Sequence, residues 1–218
     1  RDGNSTITKN IIRYNTLYSN FSSGEGGGIL SYGSTVNILQ NEITNNIGGN
    51  GGGIFGGNLI ANNCISENFA EEKGGGIYMS QNSVINNSMV FNAADMGSVI
   101  DYYLAENPNE FKSNTIRGNV VLGEEPSYTM GISAHPMMQF NNILDNTATY
   151  ELFNRNGSFT PHLDARENWW ATTSEVGIQG IIYDWVDDAT CSIVDYAPFA
   201  MDILTDAPIA PPSGLTME

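Results

Sequence analysis

Between residues 60 and 79 the chain reads IANNCISENFAEEKGGGIYM. Apolar and polar positions alternate in runs of three to five residues, bounded by asparagine or glycine. A period of two in short runs rich in Ile and Val predicts strands and excludes amphipathic helices. The same phrase returns along most of the chain. In the frame Asn-x-apolar-x-x-Asn its copies are Asn10/Ile12/Asn15, Asn41/Ile43/Asn46, Asn63/Ile65/Asn68, Asn87/Met89/Asn92, Asn114/Ile116/Asn119 and Asn141/Ile143/Asn146. A degenerate seventh is Asn168/Trp170/Thr173. Between copies, glycine triplets at 26–28, 51–53 and 74–76 precede Ile29, Ile54 and Ile77, and Val99, Ile132 and Leu152 continue this column with weaker glycine signals.

A repeat of roughly twenty to thirty residues built from strands is the signature of a solenoid. Each repeat is expected to form one coil of short strands, stacked in parallel on the next at about 4.8 Å. Six to seven coils would make a rod roughly 30 Å long. The asparagines suit the bends, where Asn tolerates positive φ. Their amides suit a ladder of side-chain hydrogen bonds along the rod, through Asn10, Asn41, Asn63, Asn87, Asn114 and Asn141. The glycines are expected at a second corner that is too tight for a Cβ. Ile12, Ile43, Ile65, Met89, Ile116 and Ile143 are expected to fill the core.

On these residues, NxIxxN followed by GGGIY, the chain resembles the right-handed parallel β-helix repeats of secreted and surface bacterial proteins, autotransporter and polymorphic outer-membrane passenger domains among them. The resemblance covers residues 1 to about 170. It implies an all-β, single-stranded, right-handed parallel β-helix of about seven coils, on the cell surface or outside the cell. Activity does not follow, because one fold hosts adhesins, lyases and hydrolases. The segment ENWWATTSEVGIQGIIYDWVDDATCSIVDYAPF (167–199) resembles the Asn-Trp-Trp closing segment of such proteins. Residues 171–200 are therefore expected to cap the stack. Thr173 or Ser174 would N-cap a short helix from about Glu175 to Ile182. Val176, Ile178, Ile181 and Ile182 would cover the open core, assisted by Trp169, Trp170 and Trp185. Residues 201–218 read as a proline-rich linker resembling the entry to a fibronectin-type-III domain. The chain opens already inside its repeating pattern, as expected of a domain cut from a longer protein.

Charge narrows the partners. The chain carries 24 acidic and 8 basic residues, a formal net charge of −16, and only 15% of its 218 residues are charged. Phosphate neutralisation needs clustered Lys and Arg, so nucleic acid and anionic membrane surfaces are not expected partners. No stretch reaches the ~18 apolar residues of a membrane span. No cofactor is expected, although the acidity would support weak Ca²⁺ binding. Cys64 and Cys191 lie in no metal-ligand spacing and read as two separate thiols.

Function in a solenoid collects where the repeat is decorated. The connections holding DYYLAENPNE and NRNGSFTPHLD are longer than their counterparts, with His135 in the short turn between them. Register places Asp101, Tyr102, Tyr103, Glu110, His135, Arg155 and His162 on one corner. There an Arg/Tyr/His group would serve a polysaccharide lyase, or paired carboxylates Asp101 and Glu110 a glycoside hydrolase. The competing reading is a loop of ordinary polar residues. A second decoration is the outward neighbour of the Ile column: Leu30, Phe55, Tyr78, Ile100, Ser133 and Phe153. With Tyr102, its aromatics Phe55, Tyr78 and Phe153 would stack on sugar rings or meet a partner protein. The expected function is recognition or adhesion through a glycan or surface protein. The alternatives are a lyase or hydrolase, and a spacer or filament subunit that self-associates.

Overall fold

The computed structural model describes residues 5–17, 24–31, 36–78, 83–103, 110–124 and 126–208. The chain winds into a parallel β-solenoid whose coils present four faces. Face A stacks Ser5–Thr8, Val36–Leu39, Leu59–Ala61, Ser83–Ile85, Glu110–Lys112 and Met137–Gln139. Face B stacks Ile11–Arg13, Glu42–Thr44, Cys64–Ser66, Ser88–Val90, Thr115–Arg117 and Asn142–Leu144. Face C is a four-stranded sheet of Ile47–Asn50, Phe69–Lys73, Ala93–Met96 and Val120–Val121. Face D stacks seven strands: Ile29–Ser31, Ile54–Gly56, Ile77–Tyr78, Ile100–Tyr103, Tyr128–Ser133, Tyr150–Asn154 and Ile182–Tyr183. Neighbouring coils pair in parallel through equivalent residues on faces A and B, and on face C the register shifts between Ala70 and Lys73.

Two asparagine ladders join the faces. In the first, Asn63 Nδ2 donates to Asn87 Oδ1 at 2.9 Å and to the Ile38 carbonyl at 2.9 Å. Its Oδ1 accepts from the main-chain N–H of Asn41 at 2.8 Å and from Asn41 Nδ2 at 3.1 Å. This pattern runs from Asn10 to Asn168. The second runs from Asn15 through Asn46, Asn68, Asn92 and Asn119 to Asn146. Buried amides must be paired, and stacking pairs them completely. The bends correct one expectation. Positive φ falls on the residue before each ladder asparagine, as at Gln40, Asn62, Glu67, Asn86 and Ser113, and not on the asparagine itself. The preceding residue makes the turn, which leaves the ladder residue in line to bond along the axis.

The glycine corner behaves as expected. Gly74 sits at φ +67, and a Cβ on Gly75 would lie 2.3 Å from the Ala93 carbonyl and 2.5 Å from that of Ser98. Inside, Ile38, Ile60, Val84, Phe111 and Met138 from face A meet Ile43, Ile65, Met89 and Ile116 from face B, each 0–1% exposed. Each fully buried side chain of this size contributes roughly 1.5–3 kcal/mol.

The face D column needs a register correction. Ile77 pairs with Ile100, not Val99, and Ile100 pairs with Met130, not Ile132. Gly97, at φ +59, is the first residue of a degenerate triplet completed by Ser98 and Val99. The triplet ahead of Met130 is Ser127-Tyr128-Thr129. The outward neighbours are therefore Asp101 and Gly131, and not Ile100 and Ser133.

At the C-terminal end Trp170 continues the face B column and is buried. Ser174 caps the helix, its hydroxyl accepting from Gly177 N at 3.1 Å. The helix is only Glu175–Gln179, closed at Gly180. One turn can aim a single side chain inward, and that is Ile178, whereas Val176 is 85% exposed. Ile182 is buried as a strand residue of face D, and Ile181 packs against the core partly buried. Trp169 is half-buried, while Trp185 is exposed. Leu204 is docked on face B: its N–H donates to Asn142 Oδ1 at 2.8 Å, and Asn142 Nδ2 donates back to the Leu204 carbonyl at 2.9 Å. The rest of the expected linker, 209–218, lies outside the described residues.

Candidate functional site on face D

Parallel in-register stacking turns the outward positions of face D into a row: Leu30, Phe55, Tyr78, Asp101, Gly131, Phe153 and Tyr183. In-register partners project to the same side one strand spacing apart. Their rings are therefore brought into contact by the coil repeat alone. Phe55 and Tyr78 lie with centroids 5.3 Å apart. Phe153 and Tyr183 stack at 4.3 Å with planes 6° apart, and Tyr150 meets Tyr183 edge-on at 5.2 Å.

The row is interrupted at its centre by charge. Arg155 donates from Nη1 to Asp101 Oδ1 at 2.9 Å and from Nη2 to Asp101 Oδ2 at 2.8 Å. The Tyr128 hydroxyl bonds Asp101 Oδ2 at 3.0 Å and also contacts Arg155 Nη2. The guanidinium carbon lies 4.7 Å from the Tyr128 ring centroid and 5.8 Å from that of Phe153. Gly131 makes this possible. A Cβ there would lie 2.7 Å from the Tyr128 ring and 2.8 Å from Arg155 Nη2.

Electrostatics holds the cluster in one ionisation state. Burial, followed by the charge of Asp101, pushes the Tyr128 phenol well above its ordinary range. Burial alone would lower the Arg155 pKa, but hydrogen bonding and charge from Asp101 outweigh it and hold the group above its usual value. Tyr128 is therefore a neutral donor, and Arg155 is a cation already bonded to its counter-ion.

The residues expected at one corner separate. Asp101 and Arg155 come together on face D. Tyr102 and Tyr103 belong to the same strand, but their side chains lie outside the described set, as do residues 104–109 of that insertion. Glu110 pairs with Lys112 at 2.9 Å on face A. His135 stands in the bend before Met137–Gln139, its buried Nε2 without a hydrogen-bond partner. His162 lies before Leu163–Asp164 and pairs with Asp195 at 3.2 Å. Of the expected stacking residues, Phe55 is 5% exposed, whereas Tyr78 and Phe153 are half-buried. Tyr128, Tyr150 and Tyr183 were missed. Tyr128 occupies a triplet position where glycine was expected, and Tyr183 directly follows the segment read as helix, where no strand was expected.

Among the described residues no group of three His, Cys, Asp or Glu side chains converges as a metal site. No helix among them is long and apolar enough to cross a membrane. Cys64 and Cys191 are free thiols. No protein-family model matches the chain, and neither a curated protein nor a solved structure matches it.

Proposed function

We propose that the chain is an extracellular or cell-surface recognition module of the right-handed parallel β-helix repeat type, and that face D binds a neutral glycan. The observation that carries this reading is the ring surface of Tyr150, Phe153 and Tyr183 beside the Arg155–Asp101 pair. Aromatic faces stack on the apolar faces of sugar rings, and fixed polar groups at their edge orient hydroxyls. A net charge of −16 works against a polyanionic ligand. It also works against a polyuronate lyase.

The same cluster is a poor acid–base site. Arg155 commits both terminal nitrogens to Asp101, and Tyr128 keeps its proton. A general base must be able to take a proton near the working pH. Recognition without turnover therefore fits better than the lyase or hydrolase alternative. The test is a glycan array read beside a reducing-end and unsaturated-uronate assay. Binding to neutral glycans with no product supports the reading. Release of product, lost on His135→Ala, would replace it with the enzymatic one.

A further inference from the structure

Beside the inward column of face B, the preceding residues Glu42, Cys64, Ser88, Thr115 and Asn142 are register partners from coil to coil. Side chains alternate across a strand, so this row points away from the core. Yet its five members are 0–6% exposed, whereas Ile11, their equivalent in the first coil, is 54% exposed. Glu42 Oε2 is buried and has no hydrogen-bond partner. A strip of small side chains, ending on an unpaired carboxylate, thus crosses the stack from Asn142 to Glu42, a distance of about 19 Å at the usual strand spacing.

The C-terminal segment enters this strip at its Asn142 end. Ala200 N donates to the Asn168 carbonyl at 2.9 Å, one coil beyond Asn142. Leu204 then exchanges its two main-chain hydrogen bonds with the Asn142 side chain. Three residues later Ala207 is 2% exposed. The chain therefore moves from the last coil toward earlier ones, and IAPPSGLTME (209–218) follows.

We propose that residues 209–218 continue along this strip as an extended strap, docked on face B between Thr115 and Glu42. Extended proline-rich chain rises about 3.1 Å per residue, so this segment spans roughly 30 Å and is long enough to reach Glu42. Pro208, Pro211 and Pro212 favour that conformation and bring no N–H that would need an acceptor under cover. The remaining main-chain N–H groups supply the donor that Glu42 Oε2 lacks, as the Leu204 N–H does for Asn142 at the other end. Cys64 and Ser88 leave room for a backbone where larger side chains would fill the strip. The proposal is independent of what face D binds.

Cys64 stands in the middle of the strip and reports on its cover. Burial raises the pKa of its thiol, so uncovering it speeds modification through both access and thiolate content. In a Cys191→Ser background, the rate of reaction with an aromatic disulfide reagent is measured for the full chain and for a chain ending at Pro208. Truncation is expected to speed the reaction about tenfold or more, with circular dichroism unchanged. A second measurement keeps the full chain. Ala210→Cys, Ser213→Cys and Thr216→Cys, each in the Cys191→Ser background, are mildly oxidised and mapped by mass spectrometry. At least one is expected to form an intramolecular disulfide with Cys64, and Phe159→Cys, fully exposed between Asn154 and Leu163, is expected to form none. Equal thiol rates in a folded truncated chain overturn the proposal, as does the absence of any crosslink to Cys64. Crosslinks found only between two chains also overturn it and assign the strip to a second copy.

Discussion

Asn146 Nδ2 donates to Glu151 Oε2 at 3.0 Å, and this bond ends the second asparagine ladder. In every earlier coil that amide meets the next asparagine. Glu151 lies one residue before Leu152 in face D, where the first coils place Gly28, Gly53 and Gly76 and the next two Val99 and Thr129. A Cβ on Gly53 or Gly76 would point at the ladder amides of Asn68 or Asn92. At the last coil a carboxyl fills the position that a following asparagine would otherwise supply.

Glu151 makes stability depend on pH. Burial raises its pKa from 4.5 to about 7, and the hydrogen bond from Asn146 offsets only part of this. The folded chain therefore holds a proton that the unfolded chain has lost between those values. This group's contribution to stability falls as pH rises from 4.5 through 7, by an amount on the order of 3 kcal/mol. Glu151→Gln keeps the acceptor and removes the charge. Denaturant midpoints between pH 5 and 8 are expected to flatten, with the variant more stable than the parent above pH 7.

The ladder and its bends should respond oppositely to truncation. Asn63→Ala takes the acceptor from the Asn41 main-chain N–H and the amide donor from the Ile38 carbonyl and Asn87 Oδ1, while Asn41 Nδ2 keeps the carbonyls of Ile7 and Leu39. The expected cost is on the order of 3 kcal/mol. Glu67→Ala, at an exposed bend with φ 55, removes no ladder bond and is expected to stay within about 0.5 kcal/mol. Chemical denaturation of the two variants side by side checks this.

Most of that architecture was legible beforehand, because stacking repeats its chemistry in every coil. Asn63 and Ile65 have equivalents above and below, so each position is read several times over. Legibility failed where a residue has no equivalent. Gly131 resembled a corner glycine but serves to admit Tyr128 and Arg155, and it shifted the column by two. Val176 looked core-facing in a helix drawn too long. Glu151 stands where the first coils carry glycine and the next two Val99 and Thr129, and none of these equivalents is charged. The candidate site was half legible: Asp101 and Arg155 were named from loop length, but Tyr128 and Tyr183 emerge only from the corrected register.

Glycine contacts give a sharper contrast. Gly75→Ala places a methyl 2.3 Å from the Ala93 carbonyl, whereas Gly157→Ala meets nothing within 4 Å. The first is expected to lower stability by about 2 kcal/mol or more, and the second to leave it within about 0.5 kcal/mol. Thermal unfolding measures both.

The Arg155–Asp101 pair is expected to behave as a buried ion pair when one partner is removed. The Asp101 side chain is 2% exposed and that of Arg155 23%. Asp101→Ala leaves a half-buried guanidinium without its counter-ion and is expected to cost about 3 kcal/mol. Asp101→Ala combined with Arg155→Met is expected to recover most of it, and a double-mutant cycle in denaturant reads the coupling directly.

Recognition through face D is tested most directly by the dissociation constant of the best-bound array glycan for the parent chain, Tyr183→Ala and Tyr14→Ala. Tyr14 is exposed and lies at a bend beside face B, outside the row. Loss of one stacking ring costs about 1–1.5 kcal/mol. Tyr183→Ala is therefore expected to raise the dissociation constant about tenfold, with Tyr14→Ala unchanged and both variants folded. Equal affinities for all three chains, or no glycan bound by the parent chain, would contradict the account.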